Sequence, residues 1–446
     1  FTDLSHFALW WHQAGTPRLT LAEEWEEDAG GTGGTYRLTV RQTVPSTPDQ
    51  PVKTAMMLPV RYGLLDAEDG RDLLDGDDAV LCVDAAEATV VHRGLPTRPV
   101  LSFNRRFSVP AIIEHRVDDA TRAFLLANDS DPFNRWEAGR RYALNLACRL
   151  AEPATVTTED VPGEWATALE GVAGDGTLDP QFRALLLELP GNDEVAAEIA
   201  SSGQPADPDR IHAALTAMRA ALGRQLGDLL PAIRTAMATD APYSPYPADA
   251  GRRALGNRAL SLMLASGDPS ADQAAEAQYD GADNMTERLS ALTLLTHFGR
   301  PGADARLADF RATWQADELV MDKWFAVQAT APVPDALNRV VALTEHPAFN
   351  WKRPNRFRSL VATFAMANPV RFHAGDGAGY NFLVDWLLRL DRLNPQTAAR
   401  VTGAFESWRR YDDTRQAHAR TAMQRLADDT ALSRNTREIV ERLLAG

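Results

Sequence analysis

Lysine is nearly missing from this chain: of 446 residues only Lys53, Lys323 and Lys352 carry an ammonium side chain, and arginine supplies the rest of the basic character. That bias reads as genome composition, and no function follows from it. Acidic residues exceed basic ones, 61 against 46, for a formal charge of −15. With no basic run to offset that charge, phosphate backbones are repelled, and no nucleic-acid partner is expected. Long apolar runs are missing too. No uncharged stretch reaches the roughly 18 residues of a bilayer span, and no charged leader precedes an apolar segment, so a soluble chain with no membrane partner is expected. Cysteine is scarce. Cys82 and Cys148 lie far apart in apolar segments, where free thiols pack as small hydrophobes, and a reducing, cytoplasmic location fits best.

The sequence also lacks the usual signatures of catalysis. H-E-x-x-H, which sets two zinc-binding imidazoles one helical turn apart, does not occur, and no two of the nine histidines stand three or four residues apart. G-x-S-x-G is missing, neither cysteine sits in a nucleophile signature, and no Gly precedes Lys-Ser or Lys-Thr as in a phosphate-binding loop. Gly375, Gly377 and Gly379 come near a dinucleotide fingerprint but fail its last position and follow Phe372 and His373, not a strand. No catalytic residue, metal ligand or cofactor is therefore assigned to this segment, which is expected to be inactive alone.

What is present is a change of pattern along the chain. From residue 17 to 117, short β-rich runs alternate with turn clusters: 18–25, 36–44, 55–65, 79–83, 88–92 and one long run over 100–117. Five residues, Gly30 to Gly34, make a hairpin-type connection between the first two, while 45–51 and 66–70 are breaks. Six or seven strands in about 100 residues suggest a small immunoglobulin-like β-sandwich. From residue 118 to 446 strand signals vanish and apolar residues recur every three or four positions. Asp131-Pro132, Asp179-Pro180, Asp207-Pro208 and Asn394-Pro395 each set a capping side chain before a proline suited to a first helical turn. So many short helices cannot surround one core, which points to an all-α superhelical, solenoid-like domain. Residues 1–16 fall outside both patterns. The chain opens on Phe1, and the apolar stretch 7–12 resembles a helix end with nothing before it, so Phe1, Phe7, Trp10 and Trp11 are expected to form an exposed patch capable of self-association.

Several stretches resemble the carboxyl-terminal half of bacterial aminopeptidase N, a gluzincin zinc metallopeptidase family. They are Trp-Trp-His-Gln-Ala-Gly-Thr-Pro over 10–17, Thr-Pro-Asp-Gln-Pro over 47–51, residues 98–110, and Asp-Pro-Phe-Asn-Arg-Trp-Glu-Ala over 131–138. Further on come residues 284–288, 319–325, 354–358, 368–369, 372–380 and 394–396, in the family's order. The resemblance implies that 1–16 is the remnant of an upstream catalytic domain, which in the family carries H-E-x-x-H and the zinc. It also implies that this segment scaffolds and caps the active-site chamber and controls the access of peptide substrates, with that catalytic domain as its partner. By the same resemblance, Gln396 and Arg400, four residues apart on one helix face, and Arg358 are candidates for peptide contact, since a guanidinium suits carbonyls and carboxylates. His373 and Tyr380 are expected to pack. The alternative is a free-standing helical-repeat module that binds a peptide or protein.

Overall fold

The computed structural model describes residues 4–31, 33–74 and 78–445. Phe1 lies outside them. Seven strands occur among the described residues: β1 (Arg18–Glu27), β2 (Gly34–Thr43), β3 (Leu58–Asp66), β4 (Ala79–Val83), β5 (Glu87–Leu95), β6 (Pro99–Phe103) and β7 (Ile112–Glu114). They form a four-stranded sheet ordered β5-β2-β1-β7 and a three-stranded sheet ordered β4-β3-β6. Antiparallel pairing sets Leu21 against Val40 and Trp25 against Tyr36, whereas β7 runs parallel to β1. Strict period-two alternation turns Tyr36, Leu38 and Val40 of β2 inward, where they meet Leu19, Val60, Tyr62 and Leu64 in one core. Each such side chain contributes about 1.5–3 kcal/mol by leaving water. Gln42, the inward residue next in that register, is satisfied by Met56, whose N–H it accepts at 2.6 Å and whose carbonyl it bonds at 2.9 Å.

The long run expected over 100–117 is two strands. Asn104, Arg106 and Phe107 adopt φ of 62°, 58° and 49°, a left-handed reversal that no strand tolerates. Asn104 holds the loop closed, accepting the Val109 N–H at 3.0 Å and donating to the Val109 carbonyl at 3.1 Å. Residues 9–12 form a single helical turn, and the patch expected there is smaller than the sequence suggests. Trp10 donates its indole N–H to the Met57 carbonyl at 3.1 Å and packs on the sandwich core, while Phe7 and Trp11 remain exposed. Cys82 also differs from expectation: β4 has one solvent face, and the thiol lies on it.

Two compact units divide the chain: Phe1–Tyr142 with Thr167–Val172, and Ala143–Ala166 with Ala173–Gly446. The first holds the sandwich and also the Asp119–Asn128 helix, whose N-cap Asp118 accepts the Thr121 N–H. The second is helical throughout. Asp179, Asp207 and Asn394 all cap helices that begin on the following proline, as their sequence pattern requires. Most helices pack on others close by in the chain, and Pro247–Ser266 lies against Pro180–Leu186, Pro208–Leu226, Leu229–Met237 and Met285–His297. A repeat arrangement follows from such local packing. The apolar centre of the later helices is rich in rings, with Trp324, Phe325, Phe349, Phe357 and Trp386 in mutual contact.

Candidate functional site

Arg356 and Arg358 lie roughly 200° apart on a helix of 3.6 residues per turn, so one faces inward when the other faces out. Arg356 is buried, donating from Nε to Asp322 Oδ1 at 2.6 Å and from Nη1 to the Ala348 carbonyl at 2.9 Å, with its guanidinium 4.9 Å from the Phe325 ring centre. Arg358 is exposed, and among the described residues its side chain holds only to its own turn, through the Pro354 carbonyl at 3.4 Å and the Asn355 side chain. Immediately after it the helix widens into a π-turn over Arg358–Ala362, a feature concentrated at functional sites. Thr363 Oγ1 donates back at 2.8 Å to the Arg358 carbonyl, which also accepts the Thr363 backbone N–H across the widened turn.

This segment and the Pro395–Thr402 helix border a cavity of about 430 Å³. Ala362, Met366, Ala367 and Val401 give it an apolar floor; Arg358, Thr363, Thr397 and Arg400 supply its polar groups. The Arg400 side chain is exposed and makes no hydrogen bond or ion pair to another described residue. The cavity thus offers two guanidinium groups beside an apolar surface, a combination that suits a peptide carboxylate or carbonyl next to an apolar side chain. Gln396, the third candidate, is exposed on the same helix and is not among the lining residues. Thr363, Met366 and Thr397 escaped the sequence reading. The spacing of 358, 362 and 366, one helical face, was the available signal.

His373 and Tyr380 pack. Both are buried, and His373 Nδ1 lies 2.9 Å from the Tyr380 hydroxyl while its ring centre sits 4.2 Å from that of Tyr411. Burial, with the Arg415 guanidinium beside it, pushes the His373 pKa down to about 3, so the ring is neutral at physiological pH. Among the described residues no group of three or more His, Cys, Asp or Glu is placed to hold a metal ion.

Two family models account for nearly the whole chain. Residues 15–116 match a domain of unknown function, DUF3458, described as an Ig-like fold, and residues 119–445 match DUF3458_C, described as ARM repeats. The chain belongs to this family. Aminopeptidase N of Caulobacter vibrioides is 38% identical over 444 residues, a match covering 99% of this chain and 50% of that protein. Aminopeptidase N of Escherichia coli is 33% identical over 449 residues with the same two coverages, 99% and 50%. Among solved structures, Legionella pneumophila aminopeptidase A in complex with aspartic acid matches with a TM-score of 0.82 at 25% identity, over 99% of this chain and 50% of that one. The chain thus spans about half the length of the relatives it matches, and it corresponds to the carboxyl-terminal half of aminopeptidase N. Within the DUF3458_C span lie Arg358, Gln396, Arg400 and the cavity they surround. No helix among the described residues is long and apolar enough to cross a membrane.

Proposed function

We propose that this chain is the non-catalytic segment of a zinc-dependent aminopeptidase, a scaffold and cap for an active-site chamber whose zinc and catalytic groups belong to a partner domain. The observation that carries this reading is the match to aminopeptidase N over 99% of the chain but 50% of the relative. Arg358 and Arg400 meet incoming peptides at the cavity between residues 354 and 401, and Gln396 extends the same helix face. Their guanidinium groups grip peptide carbonyls or a carboxylate and bias which substrates reach the chamber. A cytoplasmic location accords with the two unpaired cysteines.

The test is hydrolysis of a chromogenic alanine amide by the purified 446-residue chain with zinc supplied, with bound metal counted in parallel. The expected result is no turnover and no stoichiometric zinc. Zinc-dependent turnover by this chain overturns the reading. In an aminopeptidase that contains this segment, Arg358→Ala with Arg400→Ala is expected to alter the relative kcat/KM of long and short peptides and to leave a small amide substrate unaffected.

A further inference from the structure

A cavity of about 530 Å³ opens in the helical unit and shares no residue with the one beside Arg358 and Arg400. Its wall on the Ala271–Gly281 helix is Ala274, Ala277, Gln278 and Gly281, residues three or four apart and so on one face. Three of them lack bulk, and a Cβ added to Gly281 would meet nothing within 4 Å. The Leu229–Met237 helix, the start of Pro247–Ser266 and the turn before Met285–His297 supply other walls. The space is of the size that takes a small molecule, roughly 300–1,000 Å³.

Gln278, the one long side chain on that face, fixes the polar groups around it. Its Nε2 donates to Asn257 Oδ1 at 2.8 Å and to the Glu287 carbonyl at 3.1 Å, while its Oε1 accepts Arg234 Nη1 at 3.1 Å. Among the described residues Arg234 has no ion pair and no acceptor for Nε or Nη2, and Asn257 has none for Nδ2. Enclosure lowers the Arg234 pKa from its ordinary value, and the Glu287 charge offsets this in part. Arg253 stands one turn before Asn257 on the same helix face. It donates from Nη2 to the Ser244 carbonyl at 2.8 Å and lies 4.7 Å from the Tyr243 ring centre, while its enclosed Nε has no described acceptor. Carboxylates border the same space. Asn284 Nδ2 donates to Asp283 Oδ1 at 2.8 Å and to Glu287 Oε2 at 2.5 Å, so one neutral amide joins two carboxylates that have no ion pair among the described residues. Asp249 is taken by Arg252, and Asp240 is exposed.

We propose that this cavity binds a small zwitterion, an amino acid or a dipeptide, with its carboxylate held by Arg234, Arg253 and Asn257 and its ammonium group by Glu287 and Asp283. Guanidinium groups take a carboxylate through charge-assisted hydrogen bonds, and an ammonium group supplies the donors that the acidic pair lacks. A bare anion would leave the carboxylates without a cation, and a bare cation would leave the guanidinium groups without an anion. A molecule bearing both signs satisfies both. The site does not depend on the aminopeptidase reading.

The test is isothermal titration of the 446-residue chain with alanine and, separately, with alanyl-alanine at fixed ionic strength. Saturable binding at one site is expected, the tighter of the two naming the source of the zwitterion, and Arg234→Met should weaken it about tenfold or more. Glu287→Gln serves the same purpose if Arg234→Met does not fold. N-acetylalanine and alanine amide each lack one of the two charges, and neither is expected to compete. The proposal is overturned if neither zwitterion binds, if the folded variants bind as tightly as the parent, or if either singly charged derivative binds as tightly as the zwitterion.

Discussion

Arg105 in the sandwich unit is a guanidinium drawn out of bulk water, which demands an anion, whereas Arg219 in the helical unit keeps part of its side chain accessible. Arg105 receives several. It donates to Ser102 Oγ at 2.8 Å, Asp72 at 2.7 Å and Asp78 at 3.1 Å, with Asp129 at 3.5 Å. Gly63 leaves the space for it, since a Cβ there would stand 2.1 Å from the guanidinium carbon. Among the described residues the Arg219 side chain has no such partner. The lesson is that enclosure alone says little about an arginine. Saturated partners mark a group that holds the fold, whereas an accessible guanidinium without them is left to solvent.

The sharpest way to break this contrast is to remove Arg105. Arg105→Met leaves Asp129 enclosed without its counter-charge, while Asp78 keeps Arg106 at 3.3 Å, and burial already holds Asp129 up at about 6. A loss of about 3–5 kcal/mol is expected, read from urea unfolding of the chain. A loss below about 1 kcal/mol would mean that the cluster is not structural.

The helical unit treats its enclosed histidines differently, keeping them neutral. His373 is pushed down to about 3 and His297 to about 4, both chiefly by burial, from an ordinary value of 6.5. The unfolded chain therefore binds protons that the folded chain refuses. Stability from these groups is fully present above pH 6.5 and falls as pH drops towards the folded values, by about 1.4 kcal/mol per pH unit for each histidine. His373→Asn is expected to reduce the proton uptake on acid unfolding by one. An unchanged pH slope would show that His373 titrates normally in the folded state.

Arg219→Met probes the other side of the comparison. In chloride it is expected to raise stability by on the order of 1 kcal/mol, because it removes an uncompensated charge. It also raises the His297 pKa, which the Arg219 charge helps to depress, and an NMR titration of that ring reads the change. Destabilisation together with a fixed His297 pKa would place a hidden anionic partner beside Arg219.

Much of the fold was legible because its signals are local. Period-two runs located the strands, and Asp-Pro and Asn-Pro pairs located helix starts to the residue. The run over 100–117 misled because its break is made by backbone angles at Asn104, Arg106 and Phe107, residues with no glycine among them to announce a reversal. Ion clusters were not legible at all. The partners of Arg105 come from positions 72, 78 and 129, and Arg356 meets Asp322 across two helices, separations that no spacing rule reads. Arg358 and Arg400 were named from the family resemblance; that they border one cavity depends on the packing of two segments some 40 residues apart.

Those two arginines yield the smallest expected effect on stability. Arg400 has no described partner and Arg358 holds only to its own turn, so Arg400→Ala and Arg358→Ala should each change the unfolding free energy by less than about 0.5 kcal/mol. Arg356→Ala, two residues away, is the internal control. It strips Asp322 of a 2.6 Å hydrogen bond and leaves the Ala348 and Glu318 carbonyls without their donor, and its loss should be several times larger. If Arg400→Ala proves as costly as Arg356→Ala, Arg400 is part of the fold and the access role loses its support. If it is silent in unfolding yet alters peptide selection, partner saturation separates structural from functional arginines in this unit.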